Sequence, residues 1–272
     1  MDRLPSRKEG YTLDLDSTRL LHEDGHQEGV AVGYTKQGIK PCLHPLLAVL
    51  AEVRLVAQLW LRPGNTSCGG NVTAFFLDLW ENLPRHLRLR GVRADSGFCL
   101  PELLALWEQL GLPYVVVAQL SQPLQKIIKG DLIWTATEVP GTEVAELEYQ
   151  AISWPHPRRL VLIRHRVRQD ESRGGKRLLD VPGYRFQALV TSLPTASHAP
   201  LAVWRYYNGL PERDQGTARR LCPADVVPGK VLGHGSGVEP GRADLQPDGP
   251  LPAAPGLAAE GDDSQLALSG SS

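Results

Sequence analysis

The chain has 272 residues, with 29 Lys and Arg set against 30 Asp and Glu for a formal net charge of −1. A hydrophobic share of 42% and a charged share of 22% allow a buried core and exclude a chain disordered throughout. No apolar run approaches the roughly 18 residues of a membrane helix, and MDRLPSRKEGYTLDLDS carries no apolar leader, so neither a transmembrane segment nor a signal peptide is expected.

The first predicted strand is Tyr11–Asp16 (YTLDLD), with Leu13 and Leu15 on one face and Asp14 and Asp16 on the other. Pro45–Leu61 opens on a helix-like run, HPLLAVLAEV, and is expected to finish as a strand, RLVAQLWL. Thr73–Leu83 (TAFFLDLWENL) has the apolar spacing of a helix, and Leu87–Ala94 (LRLRGVRA) reads as a strand ending at Asp95. Pro101–Leu110 (PELLALWEQL) is a predicted helix with Pro at its start, Glu102 in its first turn and Gly111 as its stop. Tyr114–Ala118 (YVVVA) is apolar throughout, the pattern of a buried parallel strand. Four β-rich stretches follow: LIWTATEV, AELEYQAISW, RLVLIRHRV and YRFQALVTSL. This order predicts an α/β domain over residues 1–209 with a β insertion at about 125–200. From Pro223 to Ser272 there are 7 Pro, 9 Gly and no aromatic residue, too little apolar surface to offset ordering entropy, so 210–272 is expected to be a disordered tail.

Asp16 closes one predicted strand and is followed by Ser17-Thr18; Asp95 closes another and is followed by Ser96-Gly97-Phe98. Open α/β sheets place their sites at the C-terminal ends of strands, where two such carboxylates can converge. Mg²⁺ prefers oxygen ligands and is usually held by one or two carboxylates plus substrate phosphates. Two such ions roughly 3.5–4 Å apart clamp the attacking and leaving oxygens of an in-line phosphoryl displacement. Aspartates after strands also serve as turn and cap residues, and spacing leaves both readings open.

LDLDST (13–18), GHQEGVAVGY (25–34), HPLLAVLAE (44–52), WLRPGN (60–65), RADSGF (93–98) and WRYYNG (204–209) together resemble the DDE group 1 transposases of bacterial insertion sequences. The resemblance implies an RNase H-like α/β core with a β-rich insertion. It implies two Asp and one Glu holding two Mg²⁺ (or Mn²⁺) ions, with transposon ends cut by water attack and the 3′-hydroxyl joined to target DNA. Asp16 corresponds to the first catalytic, metal-binding carboxylate, with Asp14 on the same face as the fallback, and Asp95 to the second. The implied partner is double-stranded DNA of transposon ends and target; dimerisation in an intact member stays open.

At the third carboxylate the chain departs from the family. The family reads Tyr, two residues, Arg, three residues, Glu, six residues, Lys; counted from Tyr207, this chain has Leu210, Asp214 and Leu221. Asp214 is one methylene shorter than Glu, and Gly216 weakens a helix there by roughly 1 kcal/mol relative to Ala. Back-translated and read one base on, Leu210–Thr217, Val231–Val238 and Ala243–Leu251 all permit residues like the family's C-terminal helices. A frameshift near Gly209 is therefore expected, with the residues after it out of frame. The family's DNA-binding region before the first catalytic strand has no counterpart in MDRLPSRKEGYT, so the chain is expected to be a central fragment.

Arg158–Arg177 holds eight Lys or Arg against two acids, so Arg164, Arg166 and Arg168 are candidate phosphate contacts, with a solvated hairpin as the alternative. Arg88 and Arg90 share a strand face and are candidates to steer a phosphate toward Asp95, with a solvated edge strand as the alternative. His22, His26, Cys42 and His44 lack the paired framework of a zinc site. Four cysteines, the fourth being Cys222, follow no paired spacing and point to a reducing, cytoplasmic setting. Gly25–Gly33 lacks the Lys-Ser/Thr of a phosphate-cradling loop and is expected to be a loop; the six tryptophans are expected in the core. Three outcomes compete: a transposase with activity, a catalytically dead DNA-binding remnant, or a pseudogene product without function.

Overall fold

The computed structural model describes residues 1, 3–22, 27–35, 37–167 and 181–209. The alternation in YTLDLD becomes β1 (Tyr11–Ser17), which buries Tyr11, Leu13 and Leu15. β2 (Leu20–Leu21), β3 (Ala31–Thr35) and β4 (Gly38–Leu43) form a small sheet in the order β2-β4-β3, and β3 takes up the last residues of the segment 25–33 expected as a loop. The β3–β4 turn uses Gly38 at φ 102, a conformation that favours glycine.

HPLLAVLAEV is not a helix. It forms β5 (Leu46–Leu50), a four-residue turn, and β6 (Leu55–Trp60), paired antiparallel to β5. The deciding pattern is period two: Leu46, Ala48 and Leu50 are fully buried, while Leu47 and Val49 are not. Leucine and alanine favour helix in isolation, but pairing with β1 overrides that preference. The turn is fixed by Glu52, whose carboxylate accepts from Thr12 N–H at 2.9 Å and Thr12 Oγ1 at 2.8 Å.

The two predicted helices are α1 (Val72–Asn82) and α2 (Pro101–Gln109), and the strands between and after them are β7 (Leu89–Ala94) and β8 (Tyr114–Val117). β7 runs parallel to β1, and β8 parallel to β7. β6-β5-β1 antiparallel, then β7 and β8 parallel to β1, is the RNase H-like order. α3 (Gln122–Lys129) follows, burying Leu124 and Ile128 four residues apart.

The stretch expected as a β insertion continues the same sheet. β9 (Thr135–Ala136), β10 (Thr142–Tyr149), β11 (Arg158–Arg166) and β12 (Tyr184–Thr191) extend it antiparallel in the order β8-β12-β11-β10-β9. One face of the sheet packs Leu13, Leu15 and Val92 against Phe75, Phe76 and Trp107 of α1 and α2. Each such side chain contributes about 1.5–3 kcal/mol by leaving water. The other face carries α4 (Pro200–Tyr207), whose Leu201, Val203 and Trp204 pack on Val115, Val161 and Leu189. Among the described residues no helix is long and apolar enough to cross a membrane. The expected tail, 210–272, lies outside the described residues.

Candidate active site

Register brings the two expected aspartates together. Leu15 of β1 pairs with Ala94 of β7, so the next residues, Asp16 and Asp95, stand at the same end of parallel neighbours roughly 4.8 Å apart. Because Leu15 and Ala94 enter the α1–α2 core, both aspartates face the opposite side, the one that carries α4. Asp95 caps a single 3-10 turn, Ser96–Phe98: its Oδ1 accepts from Gly97 N–H at 2.8 Å. Asp16 Oδ1 accepts from Ser17 N–H at 2.7 Å.

Both carboxylates are half-buried, and burial raises the pKa of each above the ordinary aspartate value. The negative charges of Asp95 and Asp14 raise Asp16 further. Among the described residues no ion pair involves Asp16 or Asp95. Two adjacent carboxylates with hard oxygen donors, partly desolvated and without a protein cation, suit Mg²⁺ or Mn²⁺. Among the described residues no group of three His, Cys, Asp or Glu side chains could hold a metal ion. Asp214, expected as the third carboxylate, and Glu212 beside it lie outside the described residues.

Asp14, the fallback for Asp16, is engaged otherwise. Arg93 grips it bidentately, Nε to Oδ1 at 2.6 Å and a terminal nitrogen to Oδ2 at 2.6 Å. Burial opposes the charge of Arg93, and the Asp14 carboxylate restores it. The other terminal nitrogen of Arg93 donates to the Tyr206 carbonyl at 2.9 Å, which ties α4 to the sheet. α4 thereby brings Tyr207 close to the site. Burial first, and then the charge of Asp95, push its pKa up to about 12.

The structure places the candidate arginines as follows. Arg88 is exposed and precedes β7, and Arg90 sits near its start, whereas Asp95 follows its end. At roughly 3.3 Å per residue, the strand separates Arg90 from Asp95 by about 16 Å. Arg90 donates to Thr12 Oγ1 at 2.7 Å and pairs with Glu52 at 3.3 Å.

In the basic stretch, three of the described arginines are paired with carboxylates of the fold. Arg158 pairs with Glu108 at 2.7 Å and Arg159 with Glu146 at 2.9 Å. Arg164 pairs with Glu143 and lies 4.4 Å from the Trp134 ring and 4.6 Å from the Tyr184 ring. Arg166 interacts with Tyr184, and Arg168 lies outside the described residues. The acids that neutralise this strand come from α2 and β10, distant in sequence, so a local charge count does not see them.

In the sequence His44 figures only in a set that lacks a zinc framework. It opens the HPLLAVLAE segment, is 1% exposed, and its electrostatic neighbours include Asp16. Its signal in the sequence was its place in a family-like segment.

A family model described as transposase DDE domain, group 1, matches residues 1–208. Among solved structures, the piggyBac transposase in a synaptic complex with hairpin DNA matches with a TM-score of 0.43 and 13% identity. The match covers 73% of this chain and 37% of that chain, so this chain spans well under half the length of that transposase. No curated protein matches the chain.

Proposed function

Since the chain belongs to the group 1 DDE transposases, we propose that Asp16 and Asp95 form a site for Mg²⁺ or Mn²⁺ serving phosphoryl transfer on the double-stranded DNA of transposon ends and target. The carrying observation is the juxtaposition of these two carboxylates, raised in pKa and, among the described residues, without an ion-pair partner. When bound, such an ion polarises a phosphoryl oxygen and lowers the pKa of a water nucleophile. The protein's own part is orientation. Backbone N–H groups of Ser17 and Gly97 hold one oxygen of each carboxylate, and Arg93 keeps Asp14 from competing.

In this copy we propose that strand cleavage has been lost. The family's Arg, Glu and Lys positions fall on Leu210, Asp214 and Leu221. Losing a group aimed at developing charge typically costs about 10²–10³ in rate. The test pairs Mn²⁺ titration calorimetry with a nicking assay on supercoiled plasmid carrying the gene and both flanks. Metal binding that Asp95→Asn abolishes, without nicking in Mg²⁺ or Mn²⁺, is the expected result. Nicking that disappears in Asp95→Ala would overturn the loss of activity. Absence of metal binding would overturn the site. Sequencing the gene with its flanks tests the frameshift: a continuous family-like reading in the next frame past codon 209 is expected.

A further inference from the structure

We infer that His44 and Arg62 are positioning residues for the Asp16–Asp95 pair, acting through the segment 63–71; the inference rests on the metal-site reading above. Arg62 is 5% exposed and draws together three carbonyls. Its Nε donates to His44 O at 3.0 Å, and one terminal nitrogen donates to Ser67 O at 3.2 Å and to Gly70 O. In return His44 N–H donates to Arg62 O at 2.8 Å.

The His44 ring closes the segment from the other side. Nδ1 lies 2.9 Å from Thr66 O, and a carbonyl can only accept, so Nδ1 carries the proton. That leaves Nε2 as an acceptor, 4.0 Å from the Cys68 thiol. Burial favours the neutral ring that this arrangement requires.

Cys68 then touches the turn that holds the second aspartate. A Cβ built on Gly97 would stand 2.8 Å from Cys68 Cβ and 3.1 Å from Asp95 Oδ1. Gly97 is thus wedged between Cys68 and the carboxylate its own N–H orients. At the far end, Gly64 is pressed on the small sheet, where an added Cβ would meet the Ala31 and Cys42 carbonyls at 2.4 Å each. Arg19 fixes the Gly64 carbonyl at 2.7 Å. The segment is clamped at Gly64 and held by Arg62 and His44. It bears on Asp95 through Cys68 and Gly97, while His44 itself neighbours Asp16. This assigns a role to residues of WLRPGN and HPLLAVLAE that the carboxylates alone leave unexplained.

Groups that orient metal ligands typically contribute about 10–100-fold to metal affinity. His44→Ala is therefore expected to weaken Mn²⁺ binding in titration calorimetry by about 10–100-fold. It should also speed amide hydrogen exchange in both 63–71 and 95–98, while β8 and β12 stay protected. His44→Asn keeps a donor near the Nδ1 position and should restore most of both effects. Faster exchange confined to 63–71, with wild-type Mn²⁺ affinity, would overturn the inference and leave His44 a merely structural residue. Should His44→Ala not fold, Arg62→Lys, which keeps the charge but loses the fork, reads the same link. No change at 95–98 in that variant would equally overturn it. The two readings fail separately. If the wild type binds no Mn²⁺ while Asp95 remains intact, the metal site is wrong; exchange at 95–98 still decides whether His44 and Arg62 set that turn.

Discussion

Two ends of the same sheet treat charge in opposite ways. In β11 three of the four arginines, Arg158, Arg159 and Arg164, meet a carboxylate from another element. At the C-terminal ends of β1 and β7, two carboxylates share one locality and, among the described residues, neither has an ion-pair partner. The sequence looks charged in the first place and ordinary in the second. A charge matched within the fold supports the fold, whereas an unmatched, half-buried charge is a standing cost that a bound cation would relieve.

The largest break in this contrast is Arg158→Ala. The Arg158 side chain is 2% exposed, pairs with Glu108 through two nitrogens, and lies 5.2 Å from the Trp154 ring. Removing one partner of a buried pair strands the other, so chemical denaturation should show a loss of about 3 kcal/mol. The loss should also depend on pH. Burial opposes the charge of Glu108, but Arg158 and Tyr114 outweigh it and hold its pKa below the ordinary 4.5. A depressed carboxylate contributes stability above 4.5 that fades as pH falls through its folded value, so the wild type and the variant should converge in acid.

Gly91→Ala comes next, and it probes the paired part of the candidate site. A Cβ there would stand 2.5 Å from Tyr206 Oη and 3.0 Å from the Pro113 carbonyl. Overpacking of this kind costs about 1–3 kcal/mol. Since Arg93 bonds both Asp14 and the Tyr206 carbonyl, the strain should also loosen α4, seen as faster exchange over 200–207.

Asp95→Asn should do the reverse and stabilise. The pKa of Asp95 is raised by burial, so its ionised form costs the folded state free energy at neutral pH. As pH falls through the raised value the folded protein takes up the proton first, and the cost is gone below the ordinary 3.8. Thermal melts at pH 7 should thus place Asp95→Asn above the wild type by on the order of 1 kcal/mol, with the gap closing in acid. Added Mn²⁺ should raise the wild-type midpoint and leave the variant's unchanged.

These contrasts explain what the sequence made legible. β1, α1, β7, α2 and β8 follow from local periodicity and punctuation: Leu13 and Leu15 alternate with aspartates, and Pro101 and Gly111 bracket α2. β5 is ambiguous in the sequence because Leu, Ala and Val in a short run fit either period, and only pairing with β1 selects the strand. α3 leaves little trace in the sequence because just two buried residues, Leu124 and Ile128, mark its inner face. The neighbouring positions of Asp16, next to last in β1, and Asp95, just past β7, follow from the apolar alternation that precedes each. The engagement of Asp14 by Arg93 does not, because it depends on register between strands separated by most of the first hundred residues.

The smallest effect tests Arg90 at the far end of β7. Arg90 keeps its side chain 43% exposed beside Glu52, and exposed pairs contribute about 0.2–1 kcal/mol. Arg90→Ala should therefore shift the denaturation midpoint only slightly. Its informative readout is Mn²⁺ binding: a residue about 16 Å along β7 from Asp95 should leave that affinity within error of the wild type. A comparable loss of Mn²⁺ binding in Arg90→Ala and His44→Ala would mean that both ends of β7 set the carboxylates equally. The contrast between a paired structural end and an unpaired functional end would then fail where it makes its most specific claim.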